Sequence, residues 1–153
     1  MAKKPKYIIF ENYVINMLML STLAIGFIAL IKFNIWMIIS YAGVIILSFL
    51  AISKVYCSKC PVKSKACIHY IPGKLAMLFK DKKHIPYKWT DWLIFAIIMI
   101  ILHGFPQFAL IKNKALLILF WTATVLYIMG IFTRLCIRCF NRKCTLCRNK
   151  KFC

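Results

Sequence analysis

The sequence predicts an all-α membrane protein whose four transmembrane helices form two duplicated helical hairpins with cysteine-rich cytoplasmic segments. Three observations predict this fold class. The chain of 153 residues is 63% hydrophobic, its apolar residues fall into four long runs, and each pair of runs is followed by a Cys-x-x-Cys motif. That hydrophobic share is well above the usual share in globular domains. Because lipid offers no partner to an unpaired backbone group, each run is expected to be helical.

Each predicted span is long enough to cross about 30 Å of hydrocarbon as a helix. Within each pair the connection is about three residues long, which permits only antiparallel neighbours. A four-helix bundle is the economical packing for two such hairpins. The predicted spans are Tyr13–Ile31, Ile35–Ser53, Trp92–Ile111 and Ala115–Thr133.

The two hairpins are related by an internal repeat. The tetrapeptide Ala29–Lys32 recurs 80 positions later as Ala109–Lys112. The same shift places Tyr7 on Tyr87 and Glu11 on Asp91, although the chain has only three acidic residues. We interpret this as duplication of a two-helix unit. Since both hairpins enter from one side, the repeat is parallel, with a pseudo-two-fold axis along the membrane normal.

The repeat divides the chain into three parts. Residues 1–72 form the first two-helix repeat, with a cysteine cluster at 57–67, and residues 89–153 form the second, with a cysteine-rich tail at 136–153. Residues 73–88 form a linker. Its segment Lys74–Lys80 is apolar, is flanked by lysines and is too short to span, so we expect it to lie in the membrane interface.

The basic residues predict the orientation. The chain has 22 Lys and Arg residues and a net charge of +19, and all but three of these residues lie outside the two hairpin turns. An excess of Lys and Arg marks the cytoplasmic side, so both termini and both cysteine segments are expected on the cytoplasmic face of the cell membrane. Anionic lipid headgroups are the expected partners of this charge. No nucleic-acid-binding motif accompanies it, and nucleic acid is not an expected partner.

The eight cysteines predict metal-thiolate chemistry. Cytosolic cysteines stay reduced, so closely spaced Cys-x-x-Cys pairs indicate metal or redox roles rather than structural disulfides. Eight sulfurs divide into two four-thiolate sites. The first cluster offers Cys57, Cys60 and Cys67, with His69 as an alternative ligand, and the second offers Cys136, Cys139, Cys144, Cys147 and Cys153.

Two pairings of these ligands are open. In one, the four cysteines from 136 to 147 form one centre, and Cys153 or His69 completes the first cluster. In the other, the two Cys-x-x-Cys pairs meet across the pseudo-two-fold axis. Zinc and iron–sulfur clusters both accept four thiolates.

The position of the cysteines at the surface of the bundle favours iron–sulfur clusters over structural zinc. The membrane already builds the bundle, so a structural zinc has little to stabilise, whereas thiolate centres at a bundle surface suit electron transfer. The four spans with Cys57-Ser-Lys-Cys60-Pro61 resemble the membrane ferredoxins of quinol-oxidising nitrate and nitrous oxide systems, although the full ferredoxin motifs of those proteins are missing here.

The expected function is electron transfer by two iron–sulfur centres, as a subunit of a membrane redox complex with a redox partner protein rather than as a stand-alone enzyme. The alternatives are a zinc-binding structural or sensory membrane protein, and a thiol–disulfide oxidoreductase or metal-handling protein. No catalytic triad, phosphate-binding loop or His-Glu-x-x-His motif is present, which argues against a hydrolase.

Three further residues have two interpretations each. His103, inside the third span, is a candidate quinone or proton contact, but its simpler role is to bond a carbonyl that Pro106 leaves without a donor. Glu11 and Asp91 begin helices, where a carboxylate complements the helix dipole. Alternatively, this matched pair neutralises basic residues beside the cysteine clusters or relays protons.

Overall fold

The computed structural model describes residues 6–60, 70–138 and 141, and every regular element in this part of the chain is a helix. Three of these helices are single 3-10 turns, and one is a π-helical turn at Ile131–Leu135. The 3-10 turns are Cys57–Lys59, Ala76–Leu78 and Cys136–Arg138. The α-helices are α1 (Lys6–Ile31), α2 (Ile35–Val55), α3 (Tyr70–Leu75), α4 (Trp89–Gly104), α5 (Gln107–Leu110) and α6 (Lys114–Gly130).

The prediction of four apolar helices is confirmed. Four helical stretches of 22 to 25 residues are long and apolar enough to cross a membrane, which makes the chain a candidate multi-pass membrane protein. In the third stretch α4 and α5 follow each other, and in the fourth the π-helical turn extends α6. The stretches are Phe10–Ile31, Ile35–Lys59, Trp89–Leu110 and Lys114–Leu135.

The helices pack as a ring of neighbours. Helix α1 packs most extensively against α6 and also contacts α2, while α2 packs against α4. Helix α5, which continues the direction of α4, contacts α1 and α6. Chain direction alternates from one span to the next, so the two hairpin turns lie at one end, here called the turn end. The Cys-x-x-Cys motifs lie at the other, the cysteine end.

The two hairpin turns are built alike. Asn34 caps α2 by accepting a hydrogen bond from the Trp36 amide, and Asn113 caps α6 by accepting one from the Leu116 amide. Asparagine is among the preferred N-cap residues because its side-chain oxygen satisfies an amide that has no helical partner. At this end the rings of Phe33 and Phe108 pack edge to face, with centroids 5.5 Å apart, and join the hairpins.

The main hydrophobic core lies toward the turn end. Leu30, Leu110, Tyr41 and Phe120 are completely buried there. Helix α1 approaches α2 closely at Gly26, where a Cβ atom would stand 2.6 Å from the Tyr41 hydroxyl oxygen. That hydroxyl has no hydrogen-bond partner in the described part of the chain.

Pro106 interrupts the third span, as expected, and α4 ends at Gly104 before α5 begins. The expectation for the imidazole of His103 is only partly right. Its Nδ1 atom lies 2.9 Å from the carbonyl oxygen of Met99, whereas the carbonyl that a proline leaves without a donor is four residues before it, at Leu102. The Gln107 side chain ties the kink to α6, because it donates to the His103 carbonyl and accepts from the Trp121 indole.

We expect Gly26→Ala to lower the free energy of unfolding by about 1–3 kcal/mol, the usual cost of overpacking a core. The Tyr41 ring has no room to retreat, since it is completely buried between Phe27 and Phe105. Gly43→Ala is the matched control, because nothing lies within 4 Å of a Cβ atom at that position. Reversible unfolding in mixed detergent micelles measures both changes. Adding Tyr41→Phe should recover part of the loss, and equal stability of the Gly26→Ala and Gly43→Ala variants would contradict the close approach.

Candidate metal centre

The structure describes three of the predicted ligands, Cys57, Cys60 and Cys136. All three lie at the cysteine end of the bundle. The other predicted ligands lie outside the described residues: Cys67, Cys139, Cys144, Cys147, Cys153 and the alternative His69.

The first Cys-x-x-Cys motif folds as a 3-10 turn directly after α2. The amide of Cys60 donates to the carbonyl of Cys57 over 3.1 Å, which closes the turn. Side chains three residues apart in a 3-10 turn lie on the same side. The turn therefore brings the backbone of Cys60 back to that of Cys57.

The residues between the two cysteines face the protein interior. Ser58 is 1% exposed and Lys59 is 8% exposed, whereas Cys57 and Cys60 are half-buried. The Ser58 hydroxyl donates to the carbonyl of Lys54. The backbone carbonyl of Ser58 accepts from the amide of Lys82 in the loop before α4. The motif is thus anchored through Ser58 and Lys59, and its two cysteines stay partly exposed at the cysteine end of the bundle.

A buried ion pair joins this motif to the second hairpin. The Nζ atom of Lys59 lies 2.5 Å from Oδ2 of Asp91, and both side chains are 9% exposed. The same oxygen accepts the amide of Lys88 over 2.8 Å and so caps the start of α4. Asp91 therefore lies at a helix start, as its structural interpretation predicts, and it also pairs with a cation inside a cysteine motif, as the alternative interpretation predicts.

Burial distinguishes this ion pair from two others in the described part of the chain. Breaking a buried pair leaves an uncompensated charge and costs several kcal/mol, whereas exposed pairs contribute about 1 kcal/mol or less. The Asp81–Lys83 pair is 48% and 41% exposed. Glu11 lies 3.9 Å from Arg134, whose side chain is 62% exposed.

Tyr87 connects the two cysteine segments. Its ring packs against that of Tyr56, the residue before Cys57, with centroids 4.8 Å apart. Its hydroxyl donates to the carbonyl of Tyr56 over 3.3 Å and accepts from the side-chain amide of Asn141 over 3.2 Å. Asn141, which is 3% exposed, lies between Cys139 and Cys144 in the sequence.

The second motif is set up differently from the first, although it also begins with a 3-10 turn. The π-helical turn that precedes it ends with a bond from the amide of Cys136 to the carbonyl of Ile131, five residues back. An extra residue in one helical turn rotates the residues after it by about 100°. Accordingly Cys136 is buried at 8% exposure, and Ile137 is exposed.

The described residues contain no group of three or more His, Cys, Asp or Glu side chains that could hold a metal ion. Cys57, Cys60 and Cys136 therefore do not make a site by themselves. A complete ligand set would need cysteines from outside the described ranges. The donor type fits a soft metal, because thiolate sulfur is the ligand that zinc and iron–sulfur clusters share.

Sequence reasoning missed Lys59, Tyr87 and Asn141 as parts of this site. For Lys59 the sequence limits the choice of anionic partner without identifying it, since the chain has only three acidic residues. The repeat singled out Tyr87 without indicating what it contacts. Nothing in the sequence distinguishes Asn141 from a surface asparagine.

We expect Asp91→Asn to lower the free energy of unfolding by about 3 kcal/mol, because it leaves the Lys59 ammonium buried without a counter-ion. Asp81→Asn is the matched control and should cost less than about 1 kcal/mol, since that pair is exposed. Detergent unfolding titrations followed by far-UV circular dichroism give both values. A similar small loss in the two variants would show that the Lys59–Asp91 pair is not buried in the protein as purified.

Comparison with protein-family models, with curated proteins and with solved structures finds no match to this chain. Inference about its function therefore rests on the residues of the cysteine end.

Proposed function

We propose that the protein is an integral membrane metal-thiolate protein that carries two cysteine-ligated iron–sulfur centres and transfers electrons within a membrane redox complex. One observation carries the proposal. Tyr87 bonds to Tyr56 beside the first motif and to Asn141 inside the second cysteine segment, which supports a meeting of the two cysteine segments at one end of the bundle. Iron–sulfur clusters are held by sets of four such thiolates.

Of the two ligand pairings, we favour the one with separate centres. Cys136, Cys139, Cys144 and Cys147 then hold one cluster, and Cys57, Cys60 and Cys67 hold the other with Cys153 or His69. The different exposure of the two motifs supports this choice. A centre shared across a two-fold axis needs equivalent settings for Cys57 and Cys136, but the first is half-buried and the second is buried.

We also infer that the two hairpins arose by duplication. The matched positions Leu30 and Leu110 are both completely buried, and so are Tyr41 and Phe120, which match at the shift of 79 that applies after the hairpin turns. These pairs, and the similar asparagine caps of α2 and α6, occupy corresponding places in the two hairpins. A parallel repeat puts both cysteine segments on one face, as the proposed function requires.

The cysteine end is proposed to face the cytoplasm and its anionic lipid headgroups. Met77 and Leu78 are exposed beside the exposed Lys80, as in a segment that lies at a membrane surface. The stacked rings of Trp89 and Trp92 are exposed at the start of α4, where interfacial tryptophans anchor a span.

A zinc-stabilised membrane protein is the main rival proposal, because zinc accepts the same four-thiolate sets. A dithiol oxidoreductase or metal-handling protein is the third. The buried Lys59–Asp91 pair favours electron transfer over structural zinc. It anchors the first motif to α4 through protein contacts, so a zinc ion has less to stabilise there.

We expect the protein purified without oxygen to be coloured, to contain iron and acid-labile sulfide, and to give an EPR signal after reduction. Cys144→Ser and Cys57→Ser should each remove about half of the iron, because each breaks one of two separate ligand sets. A colourless protein with stoichiometric zinc and no sulfide would overturn the electron-transfer proposal. If neither substitution changes the metal content, neither segment is a site.

The proposed orientation predicts which lysines a membrane-impermeant amine reagent modifies in sealed right-side-out vesicles. Lys32, Lys112 and Lys114 are exposed at the turn end and should be labelled, whereas Lys80 and Lys82 at the cysteine end should be labelled only after permeabilisation. Peptide mass spectrometry identifies the sites, and inverted vesicles are the control. Labelling of Lys80 and Lys82 in sealed right-side-out vesicles would reverse the topology and place the cysteines outside the reducing cytosol.

A further inference from the structure

The side chain of Tyr87 has hydrogen bonds to both cysteine-bearing segments. It lies just before α4 and is half-buried. Ring packing against Tyr56, which itself packs against Phe95 of α4, fixes the direction of its hydroxyl. The phenol oxygen is therefore presented at a defined point between the segments.

The two hydrogen bonds at this oxygen are compatible with each other. The single phenol proton is donated to the Tyr56 carbonyl, and an oxygen lone pair accepts the Asn141 amide. The two bonds are 3.3 and 3.2 Å long, so the backbone before Cys57 and the side chain of Asn141 are less than two hydrogen-bond lengths apart. Loss of the hydroxyl would remove both of these hydrogen bonds, each of which contributes about 1 kcal/mol.

We propose that Tyr87 is a positioning residue that clamps the second cysteine segment onto the first and thereby sets the spacing of the two thiolate centres. This inference rests on the proposed function only for its final step, since the clamp itself needs no metal. Through the clamp the two centres lie side by side at one bundle end, where an electron that enters one can pass to the other.

At the cysteine end, the ion pair and the clamp hold different segments. Lys59 and Asp91 fix the first motif to α4, and Tyr87, four residues before Asp91, fixes the second segment to the first. A single short stretch at the entry of α4 therefore organises both sets of ligands.

Limited trypsin digestion of the full chain in detergent tests the clamp without reference to a metal. Tyr87→Phe keeps the ring and removes the hydroxyl, and it should speed cleavage after Arg142 and Lys143 about three- to tenfold, which corresponds to the loss of the one hydrogen bond that joins Tyr87 to the second segment. Cleavage of a transiently opened segment tracks the population of the open form. Tyr13→Phe is the matched control and should change nothing, because the Tyr13 ring is 60% exposed.

A double-mutant cycle separates a clamp from general loosening. Asn141→Ala should also speed cleavage, and the effect of the double variant should be smaller than the product of the two single effects, because both substitutions remove the Tyr87–Asn141 bond. If the two single effects on the cleavage rate multiply in the double variant, or if Tyr87→Phe leaves that rate unchanged, Tyr87 does not clamp the second segment.

The spacing step has its own readout. In protein isolated with two paramagnetic clusters, Tyr87→Phe should weaken the magnetic interaction between them in the EPR spectrum at unchanged iron content. An unchanged interaction despite faster tryptic cleavage would show that Tyr87 holds the segment without setting the spacing. If the protein holds zinc instead, the proposed function fails while the digestion still decides the clamp.

Discussion

The buried ion pair between Lys59 and Asp91 is the constraint on which the cysteine end depends. Two charges removed from water are tolerated only when they are paired and further hydrogen-bonded. Here the carboxylate meets both conditions, because it accepts the ammonium of Lys59 and the backbone amide of Lys88 on one oxygen. The start of α4 must therefore lie against the first Cys-x-x-Cys motif, and the loop before α4 is held there as well.

The buried side chains are apolar toward the turn end, and they include polar and charged groups at the cysteine end, where this ion pair lies. Toward the turn end the buried residues are large and apolar, with Leu30, Leu110 and Phe120 in contact around Tyr41. At the cysteine end the buried set includes Ser58, Lys59, Asp91 and Asn141. Apolar packing alone would not specify which way two cysteine segments lie against each other, because it has no direction. Directional bonds supply that information where the ligands must meet.

Much of this architecture could be predicted from the sequence. Run length and the short turns predict the four spans, and the interruption at Pro106 follows from the chemistry of proline. The place of the Asp91 carboxylate at a helix start follows in the same way. Its pairing with Lys59 could not be predicted, because it requires knowing that α2 and α4 are neighbours across 32 positions of sequence. Long-range packing, not local preference, decides that contact.

The π-helical turn was the least predictable element, and it bears most directly on function. From each asparagine cap to the following cysteine the spacing is the same, 34 to 57 and 113 to 136, so sequence alone implies equivalent motifs. The close approach of Gly130 to Ile15, where a Cβ atom would meet Ile15 at 2.9 Å, holds α6 against α1 just before the turn. After Gly130 the helix continues as the wider π-helical turn, which rotates Cys136 into the interior.

Two motifs that are alike in sequence thus have unlike surroundings. The potential of an iron–sulfur cluster depends on its solvent exposure and on hydrogen bonds to its sulfurs. Under the proposed function, a centre that includes the buried Cys136 and one that includes the half-buried Cys57 would therefore have different potentials. Electrons would then move in one preferred direction between them. Under the proposed function, strictly equivalent sites would have no such direction, and the π-helical turn before Cys136 is the feature that would create one.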